Sequence, residues 1–111
     1  RNCWLYNSSD SSDSAGVKLY NTNYGMLTNN SFFDNYNGIL GLDMDNSSIS
    51  NNTIYSNVNG IFLGYDCNNN TLVKNIIRNN NKIGAFTGNL SMHPPNFGNI
   101  IYTNIFFNFL H

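Results

Sequence analysis

Short apolar runs, each framed by asparagine, glycine or serine, recur along this chain at a nearly constant spacing. The segments Asn30-Ser-Phe-Phe-Asp-Asn35, Asn52-Thr-Ile-Tyr-Ser-Asn57, Asn75-Ile-Ile-Arg-Asn-Asn80 and Asn104-Ile-Phe-Phe-Asn-Phe109 align with one another, and Asn2-Cys-Trp-Leu-Tyr-Asn7 joins them. Their first asparagines lie 28, 22, 23 and 29 residues apart, so the period is near 22 with two longer intervals. The long intervals hold a Ser/Asp run from Ser8 to Ser14 and the stretch from Ser91 to Asn96, each of which predicts a loop inserted at a corner. A second motif starts at Gly16, Gly38, Gly60 and Gly84, and a third centres on Leu27, Ile49, Leu72 and Ile101. Each period thus carries three short segments that alternate every two residues, which is the pattern of strands. A fixed repeat of this length marks a solenoid. No window sustains a helical period, and neither 22 nor 23 is a multiple of the hexad that left-handed β-helices require. The expectation is all-β: a right-handed parallel β-helix of about four coils, roughly 22 residues and three short strands each, forming a single domain over 1–111.

Alternation also assigns sides. Val17, Ile39, Ile61 and Ala85 are expected inside, with Lys18, Leu40, Phe62 and Phe86 outside. In the asparagine-led motif, Trp4, Phe32, Ile54, Ile77 and Phe106 are expected inside, with Leu5, Phe33, Tyr55, Arg78 and Phe107 outside. Matched residues then stack coil on coil at about 4.8 Å and leave a flat outer surface. Asparagine makes up roughly a fifth of the chain. An Asn-rich disordered tract is poor in aromatic residues, whereas aromatics are 14% here. Stacking supplies the better reason, because the neutral amides of Asn2, Asn30, Asn52, Asn75 and Asn104 can form a ladder in which a charge would repel its own repeat.

Charged residues are only 10% of the chain and the net charge is −1, which argues against nucleic acid or an anionic membrane surface as a partner. No apolar run is long enough for a membrane span. The chain begins at Arg1 in mid-repeat and stops at Phe109-Leu110-His111 without a polar cap, so a piece of a longer solenoid is expected. Its open ends predict end-to-end self-association. Cys3 aligns with Ser31 and Thr53 and Cys67 with Met44, roughly three coils apart, so both should be free thiols.

The phrase N-x-I-x-x-N-x-x-G-I-x-L is carried best by Asn52 to Leu63 and, with small departures, by Asn30 to Gly41. It resembles the repeats of the right-handed parallel β-helix superfamily, in particular NosD-type and carbohydrate-binding/sugar-hydrolase (CASH) domains. The resemblance covers nearly the whole chain and is specific for the fold. It implies an extracellular, cell-surface or periplasmic protein. The family's range runs from polysaccharide lyases and hydrolases through adhesin-like repeats to copper-site maturation factors.

Candidate chemistry is sparse. Asp43 and Asp66 fall at one position of successive coils, with Asp45 two residues beyond the first. A carboxylate pair about 5 Å apart suits a retaining glycosidase, so Asp43 and Asp66 are the catalytic candidates. Oxygen ligands at Asp43, Asp45 and Asp66 would suit calcium. Copper takes soft donors; Met92-His93 sit in an inserted loop, Met44 and Cys67 stack in register, and His111 is remote, with no recurrent Met or His spacing. No resident cofactor is expected, and copper least of all. Phe62 and Phe86 on one outer stripe, with Phe33, Tyr55 and Arg78 on another, are the candidate ligand-binding residues. The favoured function is a non-enzymatic binding or scaffold module of a secreted or cell-surface protein, contacting extended carbohydrate or neighbouring domains of the same protein. The alternatives are part of a polysaccharide hydrolase or lyase, and a NosD-like periplasmic copper-site maturation protein.

Overall fold

Left-handed backbone corners cut the chain into strands. Ten of the thirteen non-glycine residues with positive φ among the described residues are Asn or Asp, the two types that tolerate this region best. The corners recur once per coil: Asn29, Asn51 and Lys74 form one row, Asp34, Ser56 and Asn79 a second, and Asn21, Asp43 and Asp66 a third. Asparagine is therefore abundant first for backbone reasons.

The computed structural model describes residues 3–8, 10–87, 100–102 and 105–107, and from residue 86 onward the backbone alone. Among these residues thirteen short strands run between the corners in three parallel sheets. The first sheet stacks β1 (Trp4–Tyr6), β4 (Ser31–Phe33), β7 (Thr53–Tyr55), β10 (Ile76–Arg78) and β13 (Ile105–Phe107). The second stacks β2 (Ala15–Asn23), β5 (Asn37–Asp45), β8 (Asn59–Leu63) and β11 (Ile83–Thr87), and the third β3 (Met26–Thr28), β6 (Ser48–Ser50), β9 (Thr71–Val73) and β12 (Ile100–Tyr102). Each strand pairs with its counterpart one coil away, which makes the chain a right-handed parallel β-helix as expected.

Like residues lie over like. Phe32, Ile54 and Ile77 form one core column, Ile39 and Ile61 another, and Ile49 and Leu72 a third. All are at most 1% exposed. The Gly38 position is packed so tightly that a Cβ would stand 2.6 Å from the Gly60 carbonyl oxygen and 2.8 Å from Ile54. Only hydrogen fits there.

Buried asparagines close the corners. The N–H groups of Asn30 and Asn52 donate to the Oδ1 atoms of Asn52 and Asn75, at 2.9 and 3.0 Å. At the next corner Asn35 and Asn57 donate likewise to Asn57 and Asn80, both at 3.0 Å. The third corner uses Ser47, whose N–H donates to Asn70 Oδ1 at 2.9 Å. The first row holds Asn30, Asn52 and Asn75 of the ladder expected from the sequence, but Cys3 rather than Asn2 stands over Asn30, and Asn104 lies outside the described residues; the other two rows escaped it.

Two expectations fail. Trp4 is not inside: it is 76% exposed, and Leu5 pairs with Phe32 instead. A one-residue slip swaps the faces of a strand. Here the slip lays Tyr6 flat on Phe33, with ring centroids 5.0 Å apart, and lets the Cys3 N–H donate to Asn30 Oδ1 at 3.1 Å. Cys3 thus occupies the Asn30 row rather than that of Ser31. The outer surface of the second sheet is also not flat, since Leu40, expected in the open, is only 4% exposed. Leu40 lies between Lys18 and Phe62 in the sheet, and the inserted Ser/Asp run lines a groove on the same face. Its Ser8 and Ser14 carbonyls accept from the N–H groups of Tyr36 and Asn37 at 2.7 and 3.1 Å.

Candidate functional site

The inserted loop turns the second sheet's outer face into a groove of about 960 Å³, within the range of small-molecule sites. Its apolar floor is Leu40, Leu42 and Phe62, each on a strand at a position that faces away from the core. Ser12 and Asp13 of the loop form one wall, and Lys82 with Ile83 stand at the far end. Lys18 Nζ is held by Asp13 at 2.8 Å, so this wall carries little net charge.

Two tyrosines shape the opposite end. Gly41 pairs with Leu63, but beyond it the Asp43 N–H donates to the Tyr65 carbonyl and Asp45 pairs with Asn68, so the third coil carries one extra residue. This bulge sits at Gly64-Tyr65 and brings the Tyr65 ring to the groove beside Tyr20. Bulges commonly re-aim a side chain in this way. Desolvation, followed by the neighbouring Tyr20 and Asp43, raises the Tyr65 pKa above the ordinary tyrosine value. The phenol stays a neutral donor.

At the groove's other side, Asn37 and Asn59 stack at the starts of β5 and β8. Asn37 Nδ2 donates to the carbonyls of Ser12 and Ser14 at 2.8 and 3.0 Å, and Asn59 Nδ2 donates to Asn37 Oδ1 at 2.9 Å. Among the described residues, Asn59 Oδ1 is a buried acceptor without a donor. Sequence reasoning missed this pair, although the recurrence of Asn37-Gly38 as Asn59-Gly60 marks it.

The five candidate ligand-binding residues do not converge. Phe62 lies in the groove, and Phe86 pairs with it in register, its side chain lying outside the described set. Phe33, Tyr55 and Arg78 belong to the first sheet. There Tyr6, Phe33 and Tyr55 stack face to face with centroids 5.0 and 5.1 Å apart, and the Arg78 guanidinium covers Tyr55 at 4.8 Å. The faces within this ladder are used up by one another, so its middle presents ring edges to solvent.

Asp43 and Asp66 do occupy equivalent corners, with φ of 55° and 52°. Asp66 Oδ1 accepts from Asn68 Nδ2 at 3.0 Å, and Asp45 Oδ1 accepts from the Asn68 N–H at 2.9 Å. These two carboxylates are engaged in holding the bulged corner. Among the described residues no three His, Cys, Asp or Glu side chains gather to hold a metal. Met44 and Cys67 are successive members of a fully buried core row, and burial pushes the Cys67 thiol pKa up. Cys3 is exposed, and neither cysteine is in a disulfide. Met92, His93 and His111 lie outside the described residues. No helix among the described residues is long and apolar enough to cross a membrane.

Searches of curated proteins and of solved structures return no match. A family model described as "Periplasmic copper-binding protein (NosD)" matches residues 1–110. That description supports an extracytoplasmic location. It also overturns the expectation that copper is the least expected metal, since the family matched across the chain is one named for copper binding. With the phrase repeated coil after coil, the parallel solenoid it builds and a match of this extent, the chain belongs to the NosD family.

Proposed function

We propose that this chain is the β-helix scaffold of a periplasmic protein that handles copper as cargo during assembly of a copper site. The observation that carries the reading is the family match over residues 1–110. The described donors form no resident copper site: no three His, Cys, Asp or Glu side chains gather among the described residues, and the exposed Cys3 belongs to no such group. Copper(I) takes thiolate, thioether and imidazole ligands, yet Met44 and Cys67 are sealed in the core and the Cys67 thiol is held protonated by burial. A ligating thiol must give up its proton. The adjacent soft donors Met92 and His93, outside the described residues, are the pair we assign to transient copper capture. Competition of the chain with a chromophoric copper(I) chelator tests this. In a Cys3→Ser background, replacing Met92 and His93 with alanine should abolish copper uptake, while Cys67→Ala should leave it unchanged. Full uptake by the double variant would overturn the assignment.

A second reading, extended carbohydrate as ligand, is favoured by one observation: an apolar groove floor bearing Phe62, rimmed by amides and hydroxyls together with Lys82 and the paired Lys18 and Asp13. Ring faces and neutral hydrogen-bonding groups are the combination a sugar needs. Phe62→Ala should then weaken binding of a neutral oligosaccharide without lowering the melting temperature by more than a few degrees. Unaltered binding by this variant would remove the reading.

A further inference from the structure

We propose that the groove on the second sheet binds a free medium-chain aliphatic monocarboxylate, with its carboxylate at Lys82 and its alkyl chain on Phe62 and Leu42. This goes beyond the copper reading and uses none of it, and it sets a different ligand against the sugar of the second reading in the same groove. Charge comes first. All six acidic side chains of the chain, from Asp10 to Asp66, lie among the described residues. The one ion pair among these residues joins Asp13 to Lys18. Lys82 also lines the groove, and with Asp13 and Lys18 cancelling each other it is the uncompensated charge there.

The surface beside that charge is apolar and reachable. Phe62, Leu42 and Ile83 line the groove and are each partly exposed, whereas Leu40 is buried. Ile83 pairs with Asn59 and Asn59 with Asn37, while Leu42 lies five residues beyond Asn37 on β5. At the rise of an extended strand, that separation is about 16 Å. A floor this long suits an extended alkyl chain better than one compact ring.

The groove is also bounded. Ser12 and Asp13 wall one side, Lys82 stands at one end, and at the other the Tyr65 phenol is engaged in a hydrogen bond with Tyr20. A site closed in this way takes a molecule of finite length, which favours a free acid over a polymer. One uncompensated ammonium matches one carboxylate, and the charge-assisted hydrogen bond between them is the stronger kind. A cationic ligand would meet Lys82 unfavourably, and a second carboxylate would meet Asp13. Burial of the alkyl chain on Phe62 and Leu42 supplies the rest of the affinity.

The test is a nuclear magnetic resonance titration of the full chain at neutral pH with octanoate and with its uncharged counterpart octanol, alongside thermal melts. Octanoate should shift the backbone amides of Leu42, Phe62 and Lys82 and bind about tenfold more tightly than octanol. Lys82→Gln, a change at an exposed side chain, should melt with the wild type, weaken octanoate about tenfold and leave octanol unchanged. Lys82→Arg should retain octanoate. The proposal is overturned if octanoate shifts only residues away from the groove, if it binds no more tightly than octanol, or if Lys82→Gln holds it as well as the wild type does. Cellotriose separates the two readings of the groove: shifts at these residues with cellotriose and not with octanoate remove this proposal and keep the sugar, and shifts with octanoate alone do the opposite.

Discussion

Replacing Asn57 with leucine tests what holds the coils together. Asn57 is 1% exposed, and its Oδ1 is the acceptor for the Asn35 N–H at 3.0 Å. Its Nδ2 donates to the Phe32 carbonyl and to Asn80 Oδ1, each at 3.1 Å. Leucine is close in volume, so little cavity forms and the loss is polar. The Asn35 N–H is left buried without its acceptor, which costs about 1–3 kcal/mol. The two Nδ2 bonds are worth about 1 kcal/mol each in net terms. Asn80 Oδ1 keeps the Asn57 N–H at 3.0 Å and is not orphaned. Added apolar burial returns about 1 kcal/mol, leaving a net loss of about 2–4 kcal/mol. That is a large share of the 5–15 kcal/mol typical of a domain. Urea unfolding followed by far-ultraviolet circular dichroism measures it, with the slope m unchanged if only the native state is affected. A loss below about 0.5 kcal/mol would refute the claim that amide ladders carry the corners.

Four further outcomes are expected. Ile54→Ala, in the middle of a core column between Phe32 and Ile77, should cost about 2–5 kcal/mol by urea unfolding; a cost under about 1 kcal/mol would mean the column is not close-packed. A disulfide reagent should titrate Cys3 in the native protein and Cys67 only after unfolding. Because burial raises the Cys67 pKa in the folded state, its contribution to stability is complete below the unfolded thiol value of about 8.5 and is lost as pH rises toward the folded one. Cys67→Ala should remove that alkaline decline, and an identical pH profile in the variant would contradict it. Asp43→Asn keeps a residue suited to a φ of 55° and should change stability by less than about 0.5 kcal/mol, whereas Asp43→Val should cost about 1–2 kcal/mol; equal effects of the two in thermal melts would discount the backbone argument.

How much of this could be read from the residues depends on what repeats. The three columns of Phe32, Ile39 and Ile49 with their counterparts recur every 22 or 23 residues, and their register was legible because hydrophobic identity and spacing both vote for it. Trp4 was misplaced because Cys3-Trp4-Leu5-Tyr6 supplies two overlapping apolar alternations. The choice between them is made by a ring stack on Phe33 and a cap on Asn30, neither of which has a periodic signal. The groove was invisible for a related reason: the Ser8–Ser14 run announces a loop but not which sheet it covers. The same loop lines the groove beside Leu40 and joins Asn37, so the site depends on the one part of the first coil that does not repeat. Phe62 stands out because an aromatic residue on the outward face of a strand is conspicuous. Tyr65 was not, because a single-residue bulge at Gly64 moves it out of phase with its neighbours.

The corner amides all serve the coil that precedes them: Asn52 receives the Asn30 N–H, Asn75 that of Asn52, and Asn80 that of Asn57. A turn of the helix is therefore complete only when the next one lies on it, and each layer is finished by its successor. The solenoid is thus sealed in one direction only. A chain cut after Tyr55 would lack Asn57 and Asn75, and the N–H groups of Asn35 and Asn52 would lose their acceptors.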